Sequence, residues 1–172
     1  FLRSPLGIEL AALPASRRRH EMPFQLGVEA APYTAVVHGQ IDLLYWDSEG
    51  PVVVDFKHAK SSGAGVAAYE TQLSCYATAV ARLSEDDAPV RTRLVFLKGH
   101  DRAPLNRLVT KEMRDGLEHE IGDVVRSLAA AQARNDVWPG RPKKQCQKLD
   151  CGFIERCHGK TKGAGQQSLL LG

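Results

Sequence analysis

Three valines are followed by an aspartate and, two residues later, by a lysine in the stretch Val52-Val53-Val54-Asp55-Phe56-Lys57. Consecutive valines favour a buried strand, where an isolated charge is costly unless it has a partner. Side chains alternate along a strand, so Asp55 and Lys57 are predicted to share one face while Phe56 points into the opposite layer. On this stretch alone, a functional carboxylate and a weak surface ion pair remain alternatives.

The preceding segment, from Thr34 to Trp46, predicts a second strand because its residues alternate with the period of a half-buried strand. The alternation assigns one face to Val37, Gly39, Ile41, Leu43 and Tyr45, and the other face to His38, Gln40, Asp42, Leu44 and Trp46. The turn-forming residues Asp47-Ser48-Glu49-Gly50 follow, so the two strands are predicted to form an antiparallel hairpin. That pairing is expected to bring Asp42 near Asp55.

The rest of the chain predicts two helices and two further strands. The first three of these elements are a strand over Glu21 to Val28, a helix over Tyr69 to Leu83 and an interior strand over Arg91 to Leu97. Thr110 is predicted to cap a helix that runs to about Ala133. The predicted buried stripe of that helix is Met113, Leu117, Ile121, Val124 and Leu128. Residues 1–19 predict no element, and the order of the others predicts an α/β domain with a mixed sheet flanked by helices, followed by a loop-rich tail.

Asp42 and Asp55 form a candidate metal site. Two neighbouring carboxylates repel each other, a divalent cation relieves the repulsion, and hard oxygen ligands suit Mg²⁺ or Mn²⁺. Lys57 is a candidate for orienting water or stabilising charge on a phosphoryl oxygen. Gln72 and Tyr76 lie four residues apart on a predicted helix, so they share a face that could support Lys57 or hold a phosphate. A core tyrosine beside a solvated glutamine is the alternative.

The composition favours one globular domain with an unevenly placed charge: 172 residues, 43% hydrophobic, net charge +3. No segment reaches the roughly 18 apolar residues of a membrane span, and no signal peptide is evident, so a cytoplasmic location without a membrane partner is expected. The chain begins at Phe1 rather than at Met, which favours a fragment of a longer protein. Residues 141–163 contain seven basic and two acidic residues. Such a segment attracts polyanions, with a solvated surface as the alternative, and its candidate phosphate contacts are Lys143, Lys144 and Lys148.

Three of the four cysteines, Cys146, Cys151 and Cys157, lie in the same basic segment. In a cytosolic protein such bunching indicates metal binding before it indicates disulfides. His158, next to Cys157, keeps a zinc site open, and three unligated thiols are the alternative. Cys75 lies within a predicted helix, where a small buried apolar residue is its expected role.

Three motifs occur in a fixed order: Gly39-Gln40-Ile41-Asp42, Val54-Asp55-Phe56-Lys57 and Gln72-Leu73-Ser74-Cys75-Tyr76. Their order and spacing resemble the RecB-like branch of the PD-(D/E)XK nuclease superfamily, whose marks are a G-x-x-D strand, a D-x-K strand and a Q-x-x-x-Y helix. The segment His20-Glu21-Met22-Pro23-Phe24 is similar to the strand that leads into the core of that family. The resemblance covers residues 20–100 and, more loosely, the tail.

The resemblance implies a restriction-endonuclease-like core that hydrolyses DNA phosphodiesters with Mg²⁺ or Mn²⁺. It makes Asp42 and Asp55 the metal ligands and Lys57 the residue that positions the attacking water. It makes Gln72 and Tyr76 a supporting and DNA-facing pair. The family usually has an upstream helix with a histidine that completes the metal site, and none is identified in this sequence. Either that part lies before Phe1 or the metal site is less complete than in the family.

The cysteine triplet is similar to the one that holds an iron-sulfur cluster in one branch of the family. A [4Fe–4S] cluster takes four thiolates, so the resemblance requires either Cys75 or a cysteine before Phe1 as the fourth ligand. On this resemblance, Cys146, Cys151 and Cys157 are predicted cluster ligands, with zinc as the second choice.

The predicted function is a metal-dependent DNA nuclease of the exonuclease type that acts in DNA repair or recombination. Its expected partners are DNA and a helicase motor, in the same chain or in a partner subunit. The alternative is a DNA-binding or scaffolding domain that has lost the chemistry. A nucleotide-hydrolysing enzyme is disfavoured because the chain contains no G-x-x-x-x-G-K-[ST] loop. The predicted divisions are an N-terminal segment (1–19), a nuclease core (20–138), a basic cysteine-rich tail (139–163) and a flexible C-terminus (164–172).

Overall fold

The computed structural model describes residues 3–58, 63–85, 87–98, 104–134, 142–148 and 154–158. In chain order its elements are α1 (Pro5–Ala12), β1 (Arg18–Ala30), β2 (Tyr33–Asp47), β3 (Gly50–Lys57), α2 (Gly63–Ser84), β4 (Val90–Phe96), β5 (Leu105–Val109), α3 (Lys111–Ala133), α4 (Lys143–Lys148) and α5 (Ile154–His158). A single 3₁₀ turn, Ala15–Arg17, precedes β1. The chain divides into two compact units, residues 1–129 and residues 130–172.

The first unit is built on a five-stranded sheet with the strand order β1-β2-β3-β4-β5. The pairs β1–β2, β2–β3 and β4–β5 are antiparallel, whereas β3 and β4 are parallel. Parallel neighbours need a crossover connection, and α2 supplies it. The predicted mixed sheet flanked by helices and the predicted β2–β3 hairpin are therefore confirmed.

The valines of β3 alternate between the two faces of this sheet. Val53 belongs to the larger apolar core, which includes residues of α2, whereas Val52 and Val54 belong to a second core that includes residues of α1. Phe56 packs against the second core, as the period of two predicts. Asp55 consequently lies on the same face as Val53, towards α2.

Helix α1 occupies residues for which the sequence pattern predicts no element. Ser4 caps it by accepting a hydrogen bond from the Gly7 backbone N–H at 3.1 Å, and Pro5 stands in the first turn, where its missing N–H is not needed. Leu6 and Leu10 are buried in the second core. The capping serine and the first-turn proline mark only the start of the helix. The apolar residues that follow are too closely and irregularly spaced to show a helical period.

Three other expectations differ from the structure. The pattern does not predict β5, a five-residue edge strand. In α3, Thr110 caps the helix as predicted, accepting a hydrogen bond from the Met113 backbone N–H at 3.4 Å, but the predicted buried stripe is wrong at Val124 and Leu128, which are 54% and 46% exposed. The tail is not only loop, because it contains α4 and α5. Among the described helices, none combines the length and apolarity needed to cross a membrane.

Candidate active site

The Asp55 carboxylate is the most buried charge at the end of β3, with 1% of the residue exposed. Its Oδ1 accepts a hydrogen bond from Lys57 Nζ at 3.1 Å. Its Oδ2 lies 2.8 Å from the same nitrogen, outside hydrogen-bond geometry, and is a buried oxygen with no hydrogen-bond donor. The structure therefore places Asp55 and Lys57 on one face, as predicted, and leaves one carboxylate oxygen with capacity for a further ligand.

Asp42 lies beside Asp55 because the β2–β3 ladder opens at this point. The last register pair is Leu43 with Val54, and beyond it the Phe56 backbone N–H donates to Asp42 Oδ2 at 2.7 Å. The side chain of Asp42 thus takes the place of a strand partner. The Asp42 charge acts on Asp55, whose pKa it raises.

The regular alternation of β2 breaks at Asp42, which corrects the predicted assignment of faces. Ile41 and Leu44 both belong to the core that contains α2, whereas Leu43 belongs to the opposite core. On β1, Glu21 is the residue opposite Asp42, and it has a positive φ of 49° and no register partner. The pairing of β1 with β2 keeps the same register on both sides of this point, so the side chains change faces here without a shift between the strands.

Burial has the largest influence on the ionisation of Asp55 and raises its pKa. The hydrogen bond and the charge of Lys57 act in the opposite direction, and the Asp42 charge adds to the increase. The net direction is upward, so the neighbouring ammonium does not fully offset the cost of the buried charge. A divalent cation would stabilise the ionised form of both carboxylates.

Lys57 is held by three groups. Besides Asp55, its Nζ donates to Gln72 Oε1 at 2.9 Å and lies 4.7 Å from the centre of the Tyr69 ring. Gln72 Nε2 in turn donates to Tyr76 Oη at 2.5 Å. Because an ammonium can only donate, it fixes which end of the Gln72 amide faces it.

The result is a continuous polar chain from Asp55 through Lys57 and Gln72 to Tyr76. Burial raises the pKa of Tyr76, with smaller contributions from the two aspartates, so its hydroxyl is neutral at neutral pH. The structure brings together all five residues predicted for this site. It adds Tyr69, which was not predicted for the site from the sequence. Tyr69 lies three residues before Gln72 on the same helix, and this spacing could have indicated that the two side chains share a face.

The donor set at this site fits a hard divalent cation. The buried Oδ2 of Asp55 lacks a donor, and Asp42 provides a second carboxylate. Within the described residues, no group of three histidine, cysteine, aspartate or glutamate side chains is positioned to hold a metal. Two carboxylates with remaining positions for water and phosphate oxygens are typical of Mg²⁺ and Mn²⁺ sites. His20 is exposed on β1 and belongs to no such group.

In the second unit, a cysteine and a histidine meet. Cys146 in α4 is buried, and its Sγ lies 3.7 Å from Nε2 of His158 in α5. Cys151 lies outside the described residues, and Cys157 lies in α5 without a described side chain. The structure therefore describes one of the three predicted thiolate ligands.

The three lysines predicted to contact phosphates lie in α4. Lys143 and Lys144 are exposed, whereas the side chain of Lys148 is outside the described set. Two positive charges on the first turn of a six-residue helix are thus open to solvent.

The mixed sheet thus places Asp55 and Lys57 at the end of β3, with Asp42 beside them on β2. A family model described as the PD-(D/E)XK nuclease superfamily matches residues 3–158. The chain belongs to this superfamily, whose members are generally nucleases that use Mg²⁺ or Mn²⁺.

A search of curated proteins gave no significant match. Among solved structures, the chain is similar to one titled "Crystal structure of SSO0001", with a TM-score of 0.48 and 16% identity over 90% of this chain and 67% of that chain.

Replacing Asp55 by asparagine should stabilise the metal-free protein. The raised pKa means that the ionised carboxylate is less favourable in the folded than in the unfolded chain. We expect Asp55→Asn to increase the free energy of unfolding by on the order of 1 kcal/mol at neutral pH with chelator present. The gain should shrink as the pH falls through the raised pKa, since the wild-type carboxyl is then protonated. Denaturant unfolding of both proteins at several pH values measures it.

Asp47→Asn is the matched control in the same hairpin. Hydrogen bonds from Arg91 lower the pKa of Asp47, so the ionised form is favoured in the folded state and its removal should destabilise the protein. A loss of stability in Asp55→Asn comparable to that in Asp47→Asn would contradict the view that the Asp55 charge is unfavourable in the metal-free fold.

Proposed function

We propose that this chain is a Mg²⁺- or Mn²⁺-dependent nuclease that hydrolyses DNA phosphodiesters. The observation that carries the proposal is the buried Oδ2 of Asp55, which has no hydrogen-bond donor although Asp42 and Lys57 stand beside it. Lys57 Nζ lies 2.8 Å from this oxygen without forming a hydrogen bond to it, so the oxygen keeps capacity to bind a cation.

Asp42 and Asp55 would hold the cation, which when bound supplies Lewis acidity and a water molecule of lowered pKa. Lys57 places a positive charge next to the same carboxylate, where it can orient the attacking water and stabilise charge on a phosphoryl oxygen. Gln72 fixes the direction of the Lys57 ammonium by accepting its hydrogen bond. Tyr76, which is 6% exposed and packed in the core, anchors Gln72 from the other side, so the structure gives it a supporting position and not the predicted DNA-facing one.

The proposal extends to the RecB-like branch of the superfamily and to the exonuclease type of cleavage. Its support is the order of the G-x-x-D, D-x-K and Q-x-x-x-Y motifs on β2, β3 and α2. Members of this branch act in DNA repair and recombination next to a helicase motor, so a motor in the same chain or in a partner subunit and a cytoplasmic location are part of the proposal. The competing function, an inactive DNA-binding scaffold, is an outcome of the tests below.

The second unit is proposed to bind a metal and to contact DNA. The 3.7 Å approach of Cys146 to His158 supports a metal-binding tail and suits zinc, which takes mixed cysteine and histidine ligands, whereas the [4Fe–4S] cluster rests on the resemblance of the cysteine triplet alone. Cys151 and Cys157 complete the proposed cysteine set. Burial raises the pKa of Cys75, which disfavours the thiolate that a ligand requires.

Substitution of either aspartate should abolish cleavage and cation binding together. Asp42→Ala and Asp55→Ala each remove a proposed ligand, so calorimetric titration with Mn²⁺ should show no binding at the site while the protein stays folded. Cleavage of a labelled oligonucleotide should stop in both variants and in wild-type protein treated with EDTA. Undiminished cleavage in excess EDTA would sink this proposal, and Mn²⁺ binding without any cleavage would favour the inactive scaffold.

Lys57→Met should separate chemistry from cation binding. The methionine keeps the volume of the side chain but removes the charge, so the rate should fall by on the order of 10² to 10³. Mn²⁺ affinity should be retained because Lys57 is not a ligand. Near-normal turnover by this variant would return Lys57 to the role of an ion pair. Lys111→Met is a control, since Lys111 makes an exposed ion pair with Asp115 on α3.

DNA binding should weaken steeply with salt if the tail contacts phosphates. Each neutralised phosphate adds a slope of about −0.9 on duplex, or about −0.7 on single strands, to a plot of log affinity against log salt. Changing Lys143, Lys144 and Lys148 together to glutamine should flatten this plot, whereas Lys111→Gln should not. An identical slope in the triple variant would show that the tail is only a solvated surface.

The tail cysteines should act as a unit if they hold a metal. Anaerobic purification should give protein that contains iron, or zinc, and Cys146→Ala should remove the metal and make the tail sensitive to protease because the ligand set orders it. Cys75→Ala is the matched control and should keep the metal. Elemental analysis that finds neither metal, also in a chain extended before Phe1, would leave the cysteines without this role.

A further inference from the structure

The ring of Phe24 fills the space that a side chain at position 39 would need. A methyl group on Gly39 would lie 2.8 Å from Cε1 and 2.9 Å from Cζ of Phe24. Carbon atoms in favourable contact are about 3.5–4.0 Å apart, so no side chain fits unless the ring moves. Gly27, on the neighbouring strand β1, has no such neighbour within 4 Å. The steric constraint is therefore specific to Gly39 and does not apply to every glycine of the β1–β2 pair.

The ring of Phe24 has little freedom to move. Phe24 is buried on β1, where it lies opposite Gly39 in the register of β1 and β2. Its ring meets the ring of Tyr76 edge to face, with centroids 5.6 Å apart and planes at 82°. This geometry is the favoured one for an aromatic pair. A displaced Phe24 would therefore displace Tyr76.

Tyr76 is also the end of the polar chain that reaches the carboxylates. Its Oη accepts the hydrogen bond from Gln72, and Gln72 accepts the hydrogen bond from Lys57 at 2.9 Å. Tyr76 therefore joins two sets of contacts. On one side are the apolar contacts of Phe24 with Gly39, and on the other are the hydrogen bonds of Gln72 and Lys57.

We propose that Phe24 is a positioning residue, whose ring, seated on Gly39, holds Tyr76 so that Gln72 presents its carbonyl oxygen to Lys57. The effect on rate rests on the proposed nuclease function, whereas the effect on Gln72 does not. Glycine is required at position 39 because of this close approach, since no positive φ is found there. A ring that served only as core filling would affect stability and leave the Gln72 amide unchanged.

The first test compares two identical substitutions in one hairpin. Gly39→Ala should push the Phe24 ring, and misplacement of Lys57 should lower kcat by roughly tenfold to 10²-fold while KM for an oligonucleotide is unchanged. Gly27→Ala adds its methyl group to open space and should leave kcat unchanged. Equal kcat values for Gly39→Ala and wild type would overturn the proposal.

A second variant tests whether the two positions act through one contact. Leucine lacks the Cε1 and Cζ atoms that crowd position 39, so Phe24→Leu should lower kcat and the addition of Gly39→Ala should lower it no further. Fully additive losses in the double variant would show that Gly39 acts by another route and would overturn the proposal.

A spectroscopic measurement separates this proposal from the proposed function. The side-chain amide of Gln72, observed by ¹H–¹⁵N NMR without metal or DNA, should shift in Gly39→Ala and Phe24→Leu and stay in place in Gly27→Ala. If wild-type protein cleaves no DNA, the proposed function fails, and the amide shift still decides whether Phe24 positions Gln72. An unchanged Gln72 signal in a folded Phe24→Leu variant would overturn the proposal.

Discussion

The ion pair of Asp55 and Lys57 is the interaction on which the rest of the site depends. It lies at the end of a strand whose preceding valines are buried on both faces of the sheet, and the side chain of Asp55 is 2% exposed whereas that of Lys57 is 18% exposed. Burial raises the pKa of Asp55 in spite of the nearby ammonium, which shows that the pair alone does not offset the desolvation of the carboxylate. The fold thus holds a charge that a cation would stabilise.

The topology explains why the neighbouring groups converge on this pair. The β2–β3 hairpin brings Asp42 alongside, and the break in the alternation of β2 directs its carboxylate to the Phe56 backbone N–H. The crossover helix α2, which the parallel pairing of β3 and β4 requires, returns over the face that carries Asp55 and Lys57. Gln72 and Tyr76 therefore reach the lysine because of the same connection that builds the sheet.

Local signals predict much of this arrangement and miss the parts that depend on packing. The valine run and the i, i+2 spacing predict that Asp55 and Lys57 share one face, and the four-residue spacing predicts that Gln72 and Tyr76 are neighbours. In the structure, each of these two pairs is joined by a hydrogen bond. The break at Asp42 is invisible to a pattern with a period of two. The crowding of Gly39 by Phe24 is equally hidden, because two strands must first pair before the ring reaches the glycine. Helix α1 is missed because it is stabilised by the packing of Leu6 and Leu10 in the second core. Its eight residues show too little helical periodicity to be recognised from the sequence.

The central claim is that the buried Oδ2 of Asp55 is a ligand of a divalent cation. The most direct measurement is an anomalous difference map from crystals grown with Mn²⁺, because manganese scatters anomalously and a coordinated oxygen lies about 2.0–2.2 Å from such an ion. The account predicts a single strong peak in contact with Asp55 Oδ2 and the Asp42 carboxylate, with Lys57 still bonded to Oδ1. A map without a peak at this position at saturating Mn²⁺ would contradict it.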